Sequence, residues 1–405
     1  MKRFLLLLLC VPLVIGAAEE SVSALNERAL DLLDAGDFDG AVSALELAAA
    51  RGDDPVITKN LAVARNNRGL EHIRAGRTWK AAQDFEAAIR LIDDDPLFRV
   101  HLGYAWLKAR DYGRAEVALR EARRRHPDFP KVYDFLGFLH YARDELAPAI
   151  EAYEKRLELE PSDWASRQLE RARREFEVSG DYVDRSSNDF TLKFLGSRTN
   201  YAVADEVLKL LEAARATVCS DLGHFPVDRT TVLLYDDSSF RKATGAHDWV
   251  GGLYDGKIRL PLNDFGRQKK RLAETARHEY THRVIADLVP NCPTWVNEGV
   301  AEWFERGGEG SHDDVRALRA QGRDIPSFAE MPETFADQTD ANLVRVQYAA
   351  SQSFLAFLRE RYGLGSIRQF LMGLGRGDEV DVAMRKNFGR PLDELEGQWR
   401  REILR

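Results

Sequence analysis

Laid against itself, the first half of the chain repeats at a fixed step. Gly69, Gly103 and Gly137 are evenly spaced, Ala81, Ala115 and Ala149 keep the same interval, and so do Pro127 and Pro161. The period, about 34 residues, falls in the range of stacked repeat architectures. A unit this short cannot bury its own apolar face, so at least three copies must stack into a one-dimensional array. Between the markers run two amphipathic helical stretches per copy, for example residues 99–109 and 112–125. The small residues let paired helices approach closely, and the proline closes each unit. A poorer copy over residues 22–51 puts Ala41 in the alanine slot, further ahead of Ala81 than one period, which implies an inserted loop. The Arg- and Glu-rich stretch 164–178 reads as a terminal cap with a polar outer face.

Leu102-Gly103, Trp106, Ala115, Leu119, Ala122 and Pro127 resemble the tetratricopeptide repeat family in order and spacing, as do Leu136-Gly137, Ala149, Tyr153 and Pro161. The resemblance covers roughly residues 22–175, about four copies. It implies an all-α helical-repeat solenoid over residues 22–178, including the cap, whose concave groove takes a peptide or protein partner. A spacer that binds nothing is the alternative.

The chain's 405 residues are 44% hydrophobic and 31% charged, with a formal net charge of -8. That apolar content suits packed cores, and the acidic balance argues against a nucleic-acid partner, which needs a basic footprint. Arg123-Arg124-Arg125 fits a helix end, where cations suit the dipole. Lys2 and Arg3 precede an apolar run over residues 4–15, then Gly16-Ala17-Ala18 and Glu19-Glu20. This is the pattern of a secretory signal peptide over residues 1–18, too short for a comfortable span of about 20 apolar residues. The expectation is an exported protein, periplasmic or secreted, with no stable membrane insertion after cleavage; an uncleaved anchor is the alternative. Cys219 and Cys292 would remain, as one disulfide or as two buried thiols.

Turn residues over 179–188 break the helical pattern. Residues 190–195, 230–235 and 257–262 then read as strands, with an amphipathic helix at 201–222 between the first two. Almost everything beyond is helical. Strands first and helices second predict an α+β domain over residues 186–405.

Within a helical run at 271–288 stands His278-Glu279-Tyr280-Thr281-His282. Four residues advance a helix by about 400°, so both imidazoles project from one face and can grip one ion. Zinc accepts neutral imidazole and leaves a position open when only three protein ligands bind. Glu279 is placed to take a proton from water there. The stretch from His282 to Glu298 has room for a short loop and a second helix crossing the first, and Glu298 would be the third ligand. Glu302, one turn further on the same face, is expected to accept the other N–H of His278.

His-Glu-Tyr-Thr-His followed by Trp-Val-Asn-Glu-Gly-Val-Ala-Glu-Trp-Phe resembles the gluzincin metallopeptidases, most closely the peptidase MA-like branch, over about residues 186–405. The resemblance implies one catalytic Zn2+ held by His278, His282 and Glu298, with Glu279 as general base. Asn297, Glu298 and Glu302 match the Asn-Glu-x-x-x-acid pattern of the thermolysin-like relatives. The loop from His282 to Glu298 is a few residues shorter than theirs, which weakens any transfer of their specificity. Tyr348 occupies the place of a tyrosine that, in aminopeptidase relatives, supports the tetrahedral intermediate; a tyrosine packed at a helix start is the alternative. Relatives also pair substrate with an edge strand above the zinc, and Gly251 and Gly252 would allow close backbone approach there, or simply form a turn. No Glu occurs between Asp248 and Leu262 to catch a free amine, which favours an endopeptidase. The expected function is thus an exported zinc metalloendopeptidase acting on a peptide or protein, with repeats recruiting substrate or partner. A repeat-based adaptor with an inactive zinc domain is the competing reading, and hydrolysis of a cell-wall amide a third.

Overall fold

The structure, a computed structural model, describes residues 20–404 apart from 181, 246, 248–249, 308–311, 333–334 and 336–339. The signal-peptide expectation therefore lies outside the described residues, as do Asp248 and Trp249.

Nine helices open the described chain: α1 Val22–Asp34, α2 Phe38–Ala49, α3 Pro55–Arg74, α4 Thr78–Leu91, α5 Pro96–Lys108, α6 Tyr112–Arg125, α7 Pro130–Ala142, α8 Leu146–Leu159 and α9 Asp163–Ser179. Asp54 and Asp95 cap α3 and α5, each followed by a proline that needs no N–H partner in the first turn. The periodic glycines have a steric meaning. A Cβ at Gly69 or Gly103 would stand 2.6 Å from Phe85 or Leu119 of the paired helix, and one at Gly137 would run into Tyr153. Ala81, Ala115 and Ala149 are wholly buried between the pairs. The last helix departs from the expected cap. α9 packs on α8 and also on the second half of the chain, and its Glu175 is fully buried rather than part of a polar outer face.

The second half carries a five-stranded sheet in the order β1-β2-β3-β5-β4, from β1 Tyr182–Ser186, β2 Phe190–Leu195, β3 Thr230–Tyr235, β4 Leu253–Tyr254 and β5 Ile258–Pro261. The pairs β2–β3 and β3–β5 are parallel; β1–β2 and β4–β5 are antiparallel. Helices follow: α10 Tyr201–Leu222 between β2 and β3, α11 Asp237–Thr244 after β3, then α12 Phe265–Leu288, α13 Thr294–Glu305, α14 Asp313–Ala320, α15 Ala341–Gly375, α16 Val380–Phe388 and α17 Leu392–Ile403. The α+β fold class holds. β1 occupies a stretch whose turn residues suggested an irregular link, because it is a mostly exposed edge strand with little apolar alternation to betray it. α15 begins at Ala341, well before Tyr348, capped by Asp340, and kinks at Gly363 (φ 79°); Tyr348 is therefore not at a helix start.

Period-two alternation splits the sheet's duties. Ile258 and Leu260 of β5 join Leu192, Val232 and Val284 in the main core beneath α10 and α12. Lys257 and Arg259 face the other way, where Glu175 of α9 accepts from Lys257 Nζ at 2.8 Å and Arg259 Nη2 at 2.7 Å. All three side chains are at most 1% exposed. The repeats are thus joined to the sheet through a buried ionic cluster. No helix among the described residues is long and apolar enough to cross a membrane.

Candidate active site

α12 and α13 cross over the main core, with Tyr280, Val284, Trp295, Val296 and Val300 buried at their inner faces. A Cβ at Gly299 would stand 2.7 Å from the Ser351 carbonyl of α15, so this glycine lets α15 come close right beside Glu298. Three helices thereby converge on the floor of a cleft of about 1280 Å³.

Glu298 Oε2 lies 3.6 Å from His278 Nε2 and 3.4 Å from His282 Nε2. The opposite ring nitrogens are both engaged. His278 Nδ1 is 2.8 Å from Glu305 Oε2, and His282 Nδ1 is 3.0 Å from Asn297 Oδ1. Each acceptor calls for a proton on Nδ1, which leaves the Nε2 lone pair aimed at the point shared with Glu298. Glu298 Oε2 is buried and has no hydrogen-bond partner. An orphaned carboxylate oxygen beside two imidazole lone pairs fits a divalent cation, and this donor set suits zinc.

The structure moves one expected role. Glu305, not Glu302, takes the second nitrogen of His278. Glu302 is near that ring, and burial foremost raises its pKa against the pull of His278. Glu305 stands two turns beyond Glu298 along the same face, so the spacing that pointed to Glu302 also allowed Glu305. The helix runs just past Phe304 and brings it in.

Electrostatics follow from burial and proximity. Burial pushes the pKa of Glu298 up, but His282 and His278 outweigh it and hold this carboxylate far below its usual range. The same burial would lower both histidines, yet for His278 Glu298 and Glu305, and for His282 Glu298, win and raise them. Glu279 is pushed up by burial, against the two histidines. Tyr348 lines the cleft, and burial together with Glu298, Glu279 and Glu302 pushes its phenol far above the ordinary value. Its ring rests edge-on against Phe335.

The two glycines differ. A Cβ at Gly252 would stand 2.7 Å from Glu279 Oε1 and 2.7 Å from Thr275 Cγ2, so the backbone there runs directly over the carboxylate. At Gly251 the nearest atom would be Arg271 Nη2 at 3.6 Å, ordinary contact. Both glycines line the cleft and lead into β4, the edge strand at the end of the sheet opposite β1. Cys219 and Cys292 are free thiols, so the disulfide alternative is not realised. Cys219 is buried 3.7 Å from the Tyr280 hydroxyl, and Cys292 lines the cleft.

Residues 248–405 match the family model of the Peptidase MA superfamily. Over that span, less than half of the chain, the sequence is similar to this superfamily. The match begins later than the expected start at 186, leaving β1–β3, α10 and α11 outside it although they share one sheet and core with the matched part. Among solved structures, the chain is similar to the MamA RS-1 ArsTM double mutant, at 20% identity and TM-score 0.32, covering 38% of this chain and 85% of that one. It is also similar to MamA AMB-1, at 19% identity and TM-score 0.31, covering 39% and 82%. A comparison with curated proteins found no match.

Proposed function

We propose that the chain is an exported zinc metallopeptidase that cleaves within peptide chains. The observation that carries this reading is the convergence of His278 Nε2, His282 Nε2 and the unpartnered Glu298 Oε2 on one point of the cleft floor. These three side chains would hold zinc, with Glu305 and Asn297 fixing the rings. When bound, zinc supplies a Lewis acid that polarises a carbonyl and lowers the pKa of water. Glu279, whose pKa burial raises, takes the proton from the attacking water at a carboxylate oxygen and returns it to the leaving amine nitrogen. The Tyr348 phenol donates to the oxygen on which negative charge develops. β4 offers its outer edge to an extended substrate backbone, with Gly252 keeping that path clear of side chains. The lack of any Glu between Asp248 and Leu262 supports internal cleavage over removal of N-terminal residues. Export rests on the sequence of residues 1–18, and recruitment of substrate or partner on the repeats.

The test is Glu279→Gln in the mature chain, assayed with a broad peptide library and by zinc analysis. Hydrolysis should be lost and zinc kept. A Gln variant as active as the parent would remove Glu279 as base, and a parent that binds zinc yet cleaves nothing across the pH range would favour the adaptor reading.

A further inference from the structure

The turn between the two helices of a repeat has one conformation throughout the array. Gly36, Gly76, Arg110 and Asp144 all lie in the left-handed region, with φ of 78°, 70°, 57° and 63°. Each turn closes with the same pair of backbone bonds. Arg110 N–H donates to Leu107 O at 3.0 Å and Asp111 N–H to Trp106 O at 2.9 Å. Asp144 N–H donates to Tyr141 O at 3.1 Å and Glu145 N–H to His140 O at 2.8 Å. Glycine fills this position without strain, whereas a residue with a Cβ does not. At Gly36 a side chain would meet nothing, and the array uses glycine.

The other three positions, Gly76, Arg110 and Asp144, recur once per repeat, so stacking lines them along one edge of the solenoid. All three touch the peptidase half. Gly76 lies against Pro290 and Gly375. The Arg110 guanidinium donates to the Tyr254 hydroxyl, and the Asp144 carboxylate accepts from Lys193 and, at 2.5 Å, from Lys257 Nζ. The two strained positions are therefore those whose side chains reach the β4–β5 hairpin. Arg171 of α9 adds a third hold, on Asp255 in the hairpin turn. The hairpin needs such support. β4 has two residues and pairs with β5 only through Leu253↔Arg259 and Tyr254↔Ile258, far too little ladder to hold an edge by itself.

We propose that this turn edge of the repeat array sets the position of β4 beside the cleft, with Arg110 as a positioning residue acting through Tyr254. The array is then part of the substrate-binding geometry and not only a recruiting arm. The proposal rests on reading β4 as the strand that pairs with substrate.

The test compares the whole mature chain with its Arg110→Gly and Arg110→Lys variants by hydrogen–deuterium exchange, zinc content and casein hydrolysis. Glycine removes the guanidinium while relieving the backbone, so the thermal midpoint should stay level or rise. Amides of residues 252–260 should exchange about tenfold faster in Arg110→Gly, the effect of losing one charge-assisted bond from a local opening reaction. Zinc content should be unchanged and KM for casein should rise with kcat kept. Lysine can still donate to the phenol and should restore much of the protection, which a merely structural side chain would not require. Unchanged exchange over 252–260 in Arg110→Gly overturns the proposal whatever casein does. A parent chain that fails to cut casein counts against the peptidase reading, and the exchange result still decides the positioning role.

Discussion

Glu175 offers the sharpest quantitative prediction, because its partners are few and fully enclosed. It is unexposed and accepts three bonds, from Lys257 Nζ at 2.8 Å, Arg259 Nη2 at 2.7 Å and the Tyr141 hydroxyl at 2.5 Å. Burial alone would raise its pKa, but Arg259 and Lys257 reverse the direction and hold it at about 2, against 4.5 for a free glutamate. At about 1.4 kcal/mol per pH unit, that difference is worth ~3 kcal/mol of folding free energy at neutral pH. Removing one partner of a buried ion pair costs about 3–5 kcal/mol, the same size by an independent route. Lys257 pulls the other way. Burial lowers its pKa despite Glu175 and Asp144, so its charge costs stability at neutral pH and the cluster is worth less than the carboxylate's share. Glu175→Gln, which keeps the volume, should therefore lose ~3 kcal/mol at pH 6. Because the folded pKa lies below the unfolded one, this stability is complete above the unfolded value of 4.5 and drains away as the pH falls towards 2. Urea unfolding followed by tryptophan fluorescence and far-UV circular dichroism should show a wide gap between parent and variant at pH 6 that narrows to about a quarter by pH 2.5 and closes only as the pH falls below 2. A gap below about 0.5 kcal/mol at pH 6, or one that stays constant with pH, refutes the reasoning.

Two further substitutions address the cleft. Glu305→Gln should weaken zinc binding by about 10- to 100-fold, measured by competition with a chelator, since the ring of His278 loses its charged acceptor; an affinity equal to the parent's would return that role to Glu302. Gly252→Ala places a Cβ 2.7 Å from both Glu279 Oε1 and Thr275 Cγ2, so hydrolysis should fall at least tenfold with zinc content and circular dichroism unchanged; full activity would mean that the strand can retreat from the carboxylate.

What the sequence disclosed depended on whether a residue's partner was local. The repeat markers were legible because Gly69, Gly103 and Gly137 each face a bulky side chain of the next helix in their own repeat. His278 and His282 were legible because helical geometry alone puts them on one face. Glu305 is not legible because Glu302 and Glu305 share the face of Glu298 one and two turns on, and only the folded helix, ending at Glu305, settles which acid reaches His278. β4 was missed for lack of length, since two residues show no periodicity. Arg110 and Asp144 look like ordinary polar turn residues, and their partners Tyr254 and Lys257 lie more than a hundred residues away. The buried role of Glu175 was hidden in the same way, because a Glu among so many arginines in α9 reads as solvated surface.

One strand explains why the two halves are not independent modules. Alternate residues of β5 point to opposite sides, Ile258 and Leu260 into the main core and Arg259 towards the repeats. The face that meets α9 and α11 also carries Leu233 and Tyr235, with Phe240 of α11 and Val178 of α9 packed against them. Taking away residues 20–179 would therefore uncover an apolar sheet face and leave Lys257 and Arg259 without Glu175 and Asp144. A linker-joined recruiting module has no need of such a junction, since interfaces between independent domains are usually more polar and open. Here the repeats complete the sheet's second layer, and the strand they complete is hydrogen-bonded to the edge that borders the cleft. The join lies on β5 and the cleft borders its hydrogen-bonded neighbour β4, so one short hairpin ties the repeat junction to the cleft wall.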